Sequence, residues 1–268
     1  HQLEVYECSK EADYWAFFME MGTGKSKVVV DQIGYLWDKG ALDTVLIIAP
    51  KGVFDNWVQQ EIPRHLSDQV NYKIVRWQPN WTKTWVEEIS NISVPKRRKE
   101  GVLSILVMNV EAFSTTKGAS TAAKYLSLNP NNMVVVDEST TIKTKNAQRT
   151  KNIIELGKLA KYRRILTGSP ITKSPLDLYT QCAFLSQKAL GFTSYYAFQG
   201  RYAQVERRHG ASRVYQHITG YRRLEELGEK LEKFSSRILK EECLTLPPKV
   251  YIRRNVELTK EQKKLYAE

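Results

Sequence analysis

The sequence predicts an α/β fold in which helices cover a central, mostly parallel β-sheet. Two observations indicate this fold. Short apolar runs alternate along the chain with segments of helical length, and the first run leads into a Gly-rich turn followed by Lys-Ser. The chain has 268 residues, of which 42% are hydrophobic and 26% charged, as in globular proteins. Wholesale disorder is therefore excluded.

Six apolar runs are predicted as strands, because parallel strands that are covered on both faces are almost continuously apolar. They are 15–18, 45–49, 72–77, 104–108, 133–136 and 164–166. Between them lie five segments with helical length and pattern: 25–38, 53–66, 84–92, 119–128 and 147–160. In such sheets the connections are right-handed, and ligands bind at the carboxyl ends of the strands.

The pattern changes after residue 185. Aromatic residues and arginine dominate 191–223, and 224–240 has the pattern of an amphipathic helix. We therefore predict that 186–246 forms a mostly helical extension packed on the α/β core. A short strand-like run, 250–258, follows it.

The net charge of +12 is unevenly distributed. Residues 1–60 carry 5 basic and 9 acidic side chains, whereas 61–200 carry 20 and 10. A local basic excess is typical of contact with a polyanion such as nucleic acid, and a solvated basic surface is the alternative. No apolar run is long enough to span a membrane. The three cysteines lie far apart, which excludes a disulfide scaffold and a Cys-rich zinc site.

The first strand runs into the sequence MEMGTGKS, residues 19–26, and then a helix. This is the arrangement of a phosphate-binding loop. Gly22 and Gly24 allow a tight turn, Lys25 reaches the β- and γ-phosphates, and the Ser26 hydroxyl binds Mg²⁺. The full pattern has glycine where this chain has Met19, so a chance match in a turn is the alternative. The predicted ATP-binding set also includes Met21, Thr23 and Lys27.

Two adjacent carboxylates end the strand predicted at 133–136. An apolar strand has no structural need for them, whereas an ATPase does. Asp137 is predicted to hold Mg²⁺, and Glu138 to orient and deprotonate the attacking water. The alternative is that Asp137 only caps a helix.

These two sites, with the segments around them, resemble the Swi/Snf-like family of superfamily-two helicases and translocases, and most closely its compact bacterial and bacteriophage members. The resemblance covers nearly the whole chain. The similar segments are 19–26, 46–51 followed by Trp57 and 61–62, 107–113, 135–143, 164–170, 174–181, 246–249 and 257–266.

The resemblance implies a RecA-like ATPase lobe over 1–185, a protrusion-like extension over 186–246, and a return strand with the start of a linker over 247–268. It implies ATP and Mg²⁺ as cofactors, and Lys25, Asp137 and Glu138 as catalytic residues. Gln2 is similar in placement to the family's adenine-reading glutamine. The residues expected to couple the nucleotide site to DNA are Thr140, Thr167 and Ser169. Those expected to contact DNA are Lys51, Asn109, Lys143 and Lys145.

The chain departs from the family pattern at three places. Thr140 stands where histidine is common, and Ser169 and Thr172 stand where threonine and asparagine are common. No Gln-x-x-Gly-Arg-x-x-Arg run, which supplies the arginine fingers of the second lobe, occurs in the sequence. We therefore expect the first lobe of a longer protein, with a natural single-lobe relative as the alternative.

The resemblance implies an ATPase that translocates on double-stranded or branched DNA in the cytoplasm of a bacterium or phage-infected host, or in the nucleus of a eukaryote. Three alternatives are open. They are a strand-separating helicase or restriction-type motor, a nucleotide-gated DNA- or protein-binding module, and a small-molecule kinase.

Overall fold

Seven parallel strands form the central sheet of the computed structural model, which describes residues 1–93, 100–209, 214–243 and 252–266. The strands are β1 (Tyr14–Met19), β2 (Thr44–Ala49), β3 (Tyr72–Arg76), β4 (Leu103–Asn109), β5 (Asn132–Asp137), β6 (Tyr162–Leu166) and β9 (Ser235–Ile238). Their order across the sheet is β3-β4-β2-β5-β6-β1-β9. All six predicted strands are confirmed, and every neighbouring pair is parallel.

Helices cover both faces of this sheet. They are α1 (Gln2–Ser9), α2 (Lys25–Asp38), α3 (Phe54–Asn56), α4 (Ile62–His65), α5 (Lys83–Ser93), α6 (Thr116–Ser127), α7 (Gln148–Gly157), α8 (Leu178–Leu185), α9 (Tyr195–Tyr202), α10 (Leu224–Glu232), α11 (Lys240–Cys243) and α12 (Lys260–Tyr266). The predicted segment 53–66 is helical with a π-helical turn, Trp57–Glu61, between α3 and α4. None of the helices in the described ranges is long and apolar enough to cross a membrane.

The core consists of two apolar layers, one on each face of the sheet. Strand residues alternate between them: Ile47 and Val135 contribute to one layer, and Ile48 and Val136 to the other. β2 and β5 are buried along their whole length. This burial on both faces explains their uninterrupted apolar sequences. Because the strands are parallel, the residues that follow β1, β2, β4, β5 and β6 emerge at the same edge of the sheet.

The extension predicted over 186–246 is less helical than expected. Between α9 and α10 the chain forms an antiparallel hairpin of β7 (Ala203–His209) and β8 (Val214–Tyr221). The helix predicted over 224–240 ends at Glu232, and the chain then forms β9 beside β1. Pairing with an open sheet edge and burial of Phe234 outweigh the helical pattern there.

The C-terminal segment also differs from the expectation. The strand predicted over 250–258 is absent from its described part, 252–258, and α12 follows. Every residue described from 252 to 266 is exposed, and a strand without a neighbour leaves its backbone groups unpaired. The similar segment 246–249 lies outside the described residues.

Candidate nucleotide-binding site

The loop that follows β1 has the backbone geometry of an anion site. Gly24 is the N-cap of α2 with φ 92°, and Gly22 has φ 84°. No side chain caps α2, so the amide groups of its first turn remain available to a ligand. Met19, at the position where the loop pattern has glycine, is the last residue of β1 and is fully buried. The departure from the loop pattern at Met19 therefore lies in the strand rather than in the turn.

The side chain of Gln2, from α1, lies against this loop. Its Nε2 donates a hydrogen bond of 3.1 Å to the carbonyl oxygen of Thr23, as His1 Nε2 does at 3.0 Å. A Cβ added to Gly24 would lie 2.2 Å from Gln2 Nε2. The loop is closed from within by Thr23, whose hydroxyl donates to the Glu20 carbonyl at 2.7 Å. The positive φ of residue 24 therefore favours glycine, and any larger residue would also displace the Gln2 side chain.

A cavity of about 410 Å³ opens beside α1 and the first turns of α2. It is lined by Gln2, Leu3, Tyr6, Lys27 and Asp31. The ammonium of Lys27 is 2.6 Å from the Asp31 carboxylate, so this predicted ATP-binding residue forms an ion pair one helical turn away. Gln2 therefore borders both the phosphate loop and a cavity next to it.

The acidic pair lies at the end of β5, where Asp137 is buried and Glu138 is partly exposed. Trp57 Nε1 donates 2.9 Å to Asp137 Oδ2, and the Glu138 amide donates 2.9 Å to Oδ1. Burial raises the pKa of the Asp137 carboxyl, and the hydrogen bond from Trp57 and the charge of Lys25 act in the opposite direction. Glu138 has φ 47°, a left-handed conformation that a non-glycine residue adopts at a cost.

The loop after β6 touches both the phosphate loop and the acidic pair. The Thr167 hydroxyl donates to Glu138 Oε2 at 3.4 Å and accepts a hydrogen bond of 3.2 Å from the Ser169 amide. A Cβ on Gly168 would lie 3.3 Å from the Met21 amide nitrogen. Two of the three predicted coupling residues, Thr167 and Ser169, therefore contact each other beside Glu138.

A second connection between the acidic pair and the β6 loop uses residues that the sequence analysis did not single out. The buried Ser139 hydroxyl donates 2.7 Å to Gln181 Oε1, and Gln181 Nε2 donates 2.8 Å to the carbonyl oxygen of Pro170. Thr140, the predicted coupling residue, is partly buried next to Ser139. The available signal was a glutamine inside a largely apolar helix, α8.

A fully buried arginine connects β6 to the helices around the phosphate loop. Arg164 Nε donates 2.8 Å to Gln32 Oε1 in α2, and one of its terminal nitrogens donates 3.3 Å to the carbonyl oxygen of Ser9 in α1. Burial lowers the pKa of Arg164 to about 9, which leaves the guanidinium charged at neutral pH. The strand before Thr167 is thus hydrogen-bonded to the helices that carry Gln2 and Lys25.

The four predicted DNA contacts lie in three different surroundings. Lys51 and Asn109 line one cavity of about 500 Å³, together with Arg76 and Lys117, which the sequence analysis missed. Lys143 donates a hydrogen bond to the Thr172 hydroxyl. The ammonium of Lys145 is 4.1 Å and 4.0 Å from the ring centroids of Tyr195 and Tyr196.

The donors near the loop fit Mg²⁺ rather than a metal held by protein alone. No group of three or more His, Cys, Asp or Glu side chains capable of holding a metal occurs in the described part of the chain. Mg²⁺ typically takes one or two protein oxygens and completes its shell with phosphates and water. Ser26 and Asp137 supply oxygens of that kind.

A comparison with known families decides the classification. The SNF2-related domain matches residues 15–268. The chain belongs to the SNF2-related domain family. Human "DNA annealing helicase and endonuclease ZRANB3" is 27% identical over 232 residues, or 86% of this chain. The yeast "TATA-binding protein-associated factor MOT1", from Saccharomyces cerevisiae, is 34% identical over 138 residues, or 50% of the chain.

This SNF2-related domain also resembles solved structures. The Sulfolobus solfataricus SWI2/SNF2 ATPase core in complex with dsDNA has a TM-score of 0.62 and 20% identity over 89% of this chain, which shows a common fold. The matches span 20% of ZRANB3, 7% of MOT1 and 43% of the Sulfolobus chain. The chain therefore corresponds to a part of each of these proteins.

Proposed function

We propose that this SNF2-related domain binds Mg·ATP at the loop after β1 and contributes the first lobe of an ATPase that translocates on double-stranded DNA. The observation that carries the proposal is the convergence of Lys25, Asp137, Glu138 and Thr167 at one edge of the sheet. Asp137 interacts electrostatically with Lys25, and Glu138 accepts a hydrogen bond from Thr167.

The proposed roles follow from these positions. Lys25 and the amide groups of 21–27 bind the phosphates, and Gln2 reads the adenine beside them. Ser26 and Asp137 would hold Mg²⁺, which would supply positive charge beside the phosphates. Glu138 orients and deprotonates the attacking water. Thr167, with Ser139 and Gln181, relays the state of the nucleotide to the loop after β6.

Lys51 and Asn109 are the proposed contacts with DNA phosphates, because they line one cavity at the carboxyl edge of the sheet. Lys143 and Lys145 contribute from the loop after the acidic pair. Phosphate contacts carry no sequence information and release counterions. Binding is therefore expected to depend strongly on salt and weakly on sequence.

The domain division implied by the resemblance remains part of the proposal. A second RecA-like lobe would supply the arginine fingers that this sequence does not contain. The 268-residue chain is therefore expected to bind ATP but to hydrolyse it slowly, because stabilisation of the transferring phosphoryl group is incomplete. Triplex displacement without strand displacement, by a protein that contains both lobes, would distinguish translocation from strand separation.

Nucleotide binding by the chain tests the proposal most directly. Lys25→Ala is expected to lower the affinity for Mg·ATP about tenfold or more, because a charged hydrogen bond to phosphate contributes about 1.5–3 kcal/mol. Isothermal titration calorimetry measures the affinity for Mg·ATP. Lys158→Ala, an exposed lysine in an ion pair with Glu155, is the control and should bind as the unaltered chain does. Equal affinities for all three proteins would overturn the proposed site.

A further inference from the structure

The hairpin β7–β8 is firmly anchored at its base. Tyr202 is fully buried, and its hydroxyl donates 3.0 Å to a carboxylate oxygen of Glu226 in α10. Arg201 pairs with the same carboxylate at 2.6 Å, and the Arg222 amide donates 2.9 Å to the Tyr202 carbonyl. Ala203, the first residue of β7, is 2% exposed. The base of the hairpin is thus part of the protein core.

Beyond this base β7 leaves the core, whereas Ile218 of β8 still packs partly against it. Residues 204–208 are all exposed, although they are paired in register with β8: Val205 faces Ile218, Glu206 faces His217 and Arg207 faces Gln216. A two-stranded ribbon is only marginally stable by itself, and three strands or a covering helix normally support it. A structured ribbon with so little burial is the kind of element that contacts another molecule.

The charge of the ribbon defines the chemistry of that molecule. From residue 201 to residue 223 the sequence carries six arginines and a single acidic residue, Glu206. Arg207 and Arg208 are exposed neighbours on β7, so their side chains point to opposite faces of the ribbon. The guanidinium of Arg208 lies 3.6 Å from the carboxylate of Glu206, and an exposed ion pair of this kind contributes little to stability. Both faces of the ribbon therefore carry an accessible guanidinium.

We propose that the ribbon β7–β8 lies in a groove of duplex DNA, with Arg207 and Arg208 contacting phosphates on either side. This inference rests on the proposed DNA function and adds a contact outside the sheet edge. Paired strands are about 4.8 Å apart, and a major groove about 12 Å wide admits a two-stranded ribbon. Guanidinium groups on opposite faces match a groove that has a phosphate backbone on each side.

The ribbon is also connected to the predicted DNA side of the sheet. β7 continues directly from α9, and Tyr195 and Tyr196 at the start of α9 hold the ammonium of Lys145 between them. The eight residues of α9 span about 12 Å. The ribbon therefore begins about 12 Å from Lys145, which is about a third of a turn of duplex DNA.

The test measures binding of the chain to a 30-base-pair duplex by fluorescence anisotropy over a series of salt concentrations. Arg207→Gln/Arg208→Gln is expected to lower affinity about tenfold at 0.1 M salt and to reduce the slope of log K against log salt by up to about 2. Arg207→Lys/Arg208→Lys retains the charges and is expected to keep most of the slope. Lys39→Gln/Lys158→Gln removes two exposed charges in turns that precede β2 and β6, far from the carboxyl edge, and is the matched control.

The outcomes separate this inference from the function on which it rests. One outcome would overturn only the proposed role of the ribbon. In it, Lys51→Gln weakens DNA binding, whereas Arg207→Gln/Arg208→Gln binds as strongly as the control. No binding by the unaltered chain at low salt would overturn both proposals. Thermal unfolding shows whether each variant is folded, and exposed substitutions of this kind normally change stability little.

Discussion

The indole N–H of Trp57 donates a hydrogen bond of 2.9 Å to Asp137, and both side chains are buried. Trp57 begins the π-helical turn between α3 and α4, whereas Asp137 ends β5. The bond therefore fixes the carboxylate proposed to bind Mg²⁺ from a segment 80 residues away in the sequence. It also offsets part of the burial that raises the pKa of Asp137.

This hydrogen bond predicts a pH-dependent loss of stability. Trp57→Phe is expected to cost about 2–4 kcal/mol at pH 7, from lost packing and from the lost hydrogen bond to the buried Asp137 carboxyl. Without the indole donor the pKa of Asp137 rises further above 3.8. The stability lost is therefore largest above that raised pKa, and it shrinks as the pH falls and Asp137 is protonated in both proteins. Urea unfolding between pH 8 and pH 4 measures the effect.

Trp85→Phe is the matched control for this experiment. Trp85 is 2% exposed, and its indole donates 2.8 Å to the carbonyl oxygen of Arg76, which does not titrate. Its cost should be nearly independent of pH. Parallel pH profiles for the two variants would contradict the proposed influence of Trp57 on Asp137.

The buried bond between Ser139 and Gln181 predicts energetic coupling between the acidic pair and the β6 loop. Gln181→Leu is expected to cost about 2–4 kcal/mol, because the Ser139 hydroxyl and the Pro170 carbonyl lose a partner. Ser139→Ala should cost about 1 kcal/mol in the unaltered chain and much less after Gln181→Leu. Denaturant unfolding of the four proteins gives the coupling energy. Thr180 is a buried neighbour of Gln181 on α8 and supplies the control. The free-energy costs of Ser139→Ala and Thr180→Val should be additive. If the coupling energy between Ser139 and Gln181 is no larger than in this control cycle, the proposed link is wrong.

Gly24 allows the effect of backbone conformation to be separated from that of steric contact. Gly24→Ala is expected to destabilise the chain by about 2 kcal/mol or more, because it combines a left-handed φ with a Cβ 2.2 Å from Gln2. It should also weaken binding of Mg·ATP, measured by calorimetry.

Gly40→Ala supplies the comparison, since Gly40 has φ +66° but nothing within 4 Å of an added Cβ. It should cost about 1 kcal/mol by thermal unfolding and leave nucleotide binding unchanged. Adding Gln2→Ala to Gly24→Ala should recover the steric part only. Equal costs for Gly24→Ala and Gly40→Ala would argue against the close approach of Gln2.

Glu138 is expected to serve the chemical step rather than binding. In a protein that contains both lobes, Glu138→Gln should slow single-turnover hydrolysis of ATP by about 100-fold or more, while the dissociation constant for Mg·ATP changes by less than about threefold. Quench-flow and calorimetry measure the two quantities. Glu155→Gln, on the exposed side of α7, should affect neither. Hydrolysis at an unchanged rate in Glu138→Gln would remove it as the base.

The sequence predicted the central sheet well because its strands are buried on both faces. The apolar runs around Ile47 and Val135 must bury their side chains and pair their backbone hydrogen-bonding groups, and few structures other than a central parallel sheet allow both. The phosphate loop was predictable for a related reason, since Gly22 and Gly24 adopt conformations that other residues avoid.

The elements that the sequence did not predict depend on distant partners. β9 pairs with β1, more than 200 residues earlier, and the short run around Ser235 carries no strand pattern of its own. The hairpin β7–β8 buries little, so it lacks the alternation that marks a half-buried strand. Gln181 likewise contacts the acidic pair and the loop after β6, two segments that meet α8 only in the folded chain.

β9 places the strand that leads into the phosphate loop in the interior of the sheet instead of at its border. The Glu20 amide donates 3.0 Å to the Ile238 carbonyl, and the Lys240 amide donates 2.6 Å to the Glu20 carboxylate. In a fragment ending at residue 185, β1 would be an unpaired edge strand, which could pair with another chain and cause aggregation. We therefore expect a fragment that folds by itself to extend to about residue 240. Truncations meant to isolate the nucleotide loop should keep the hairpin and α10 in place.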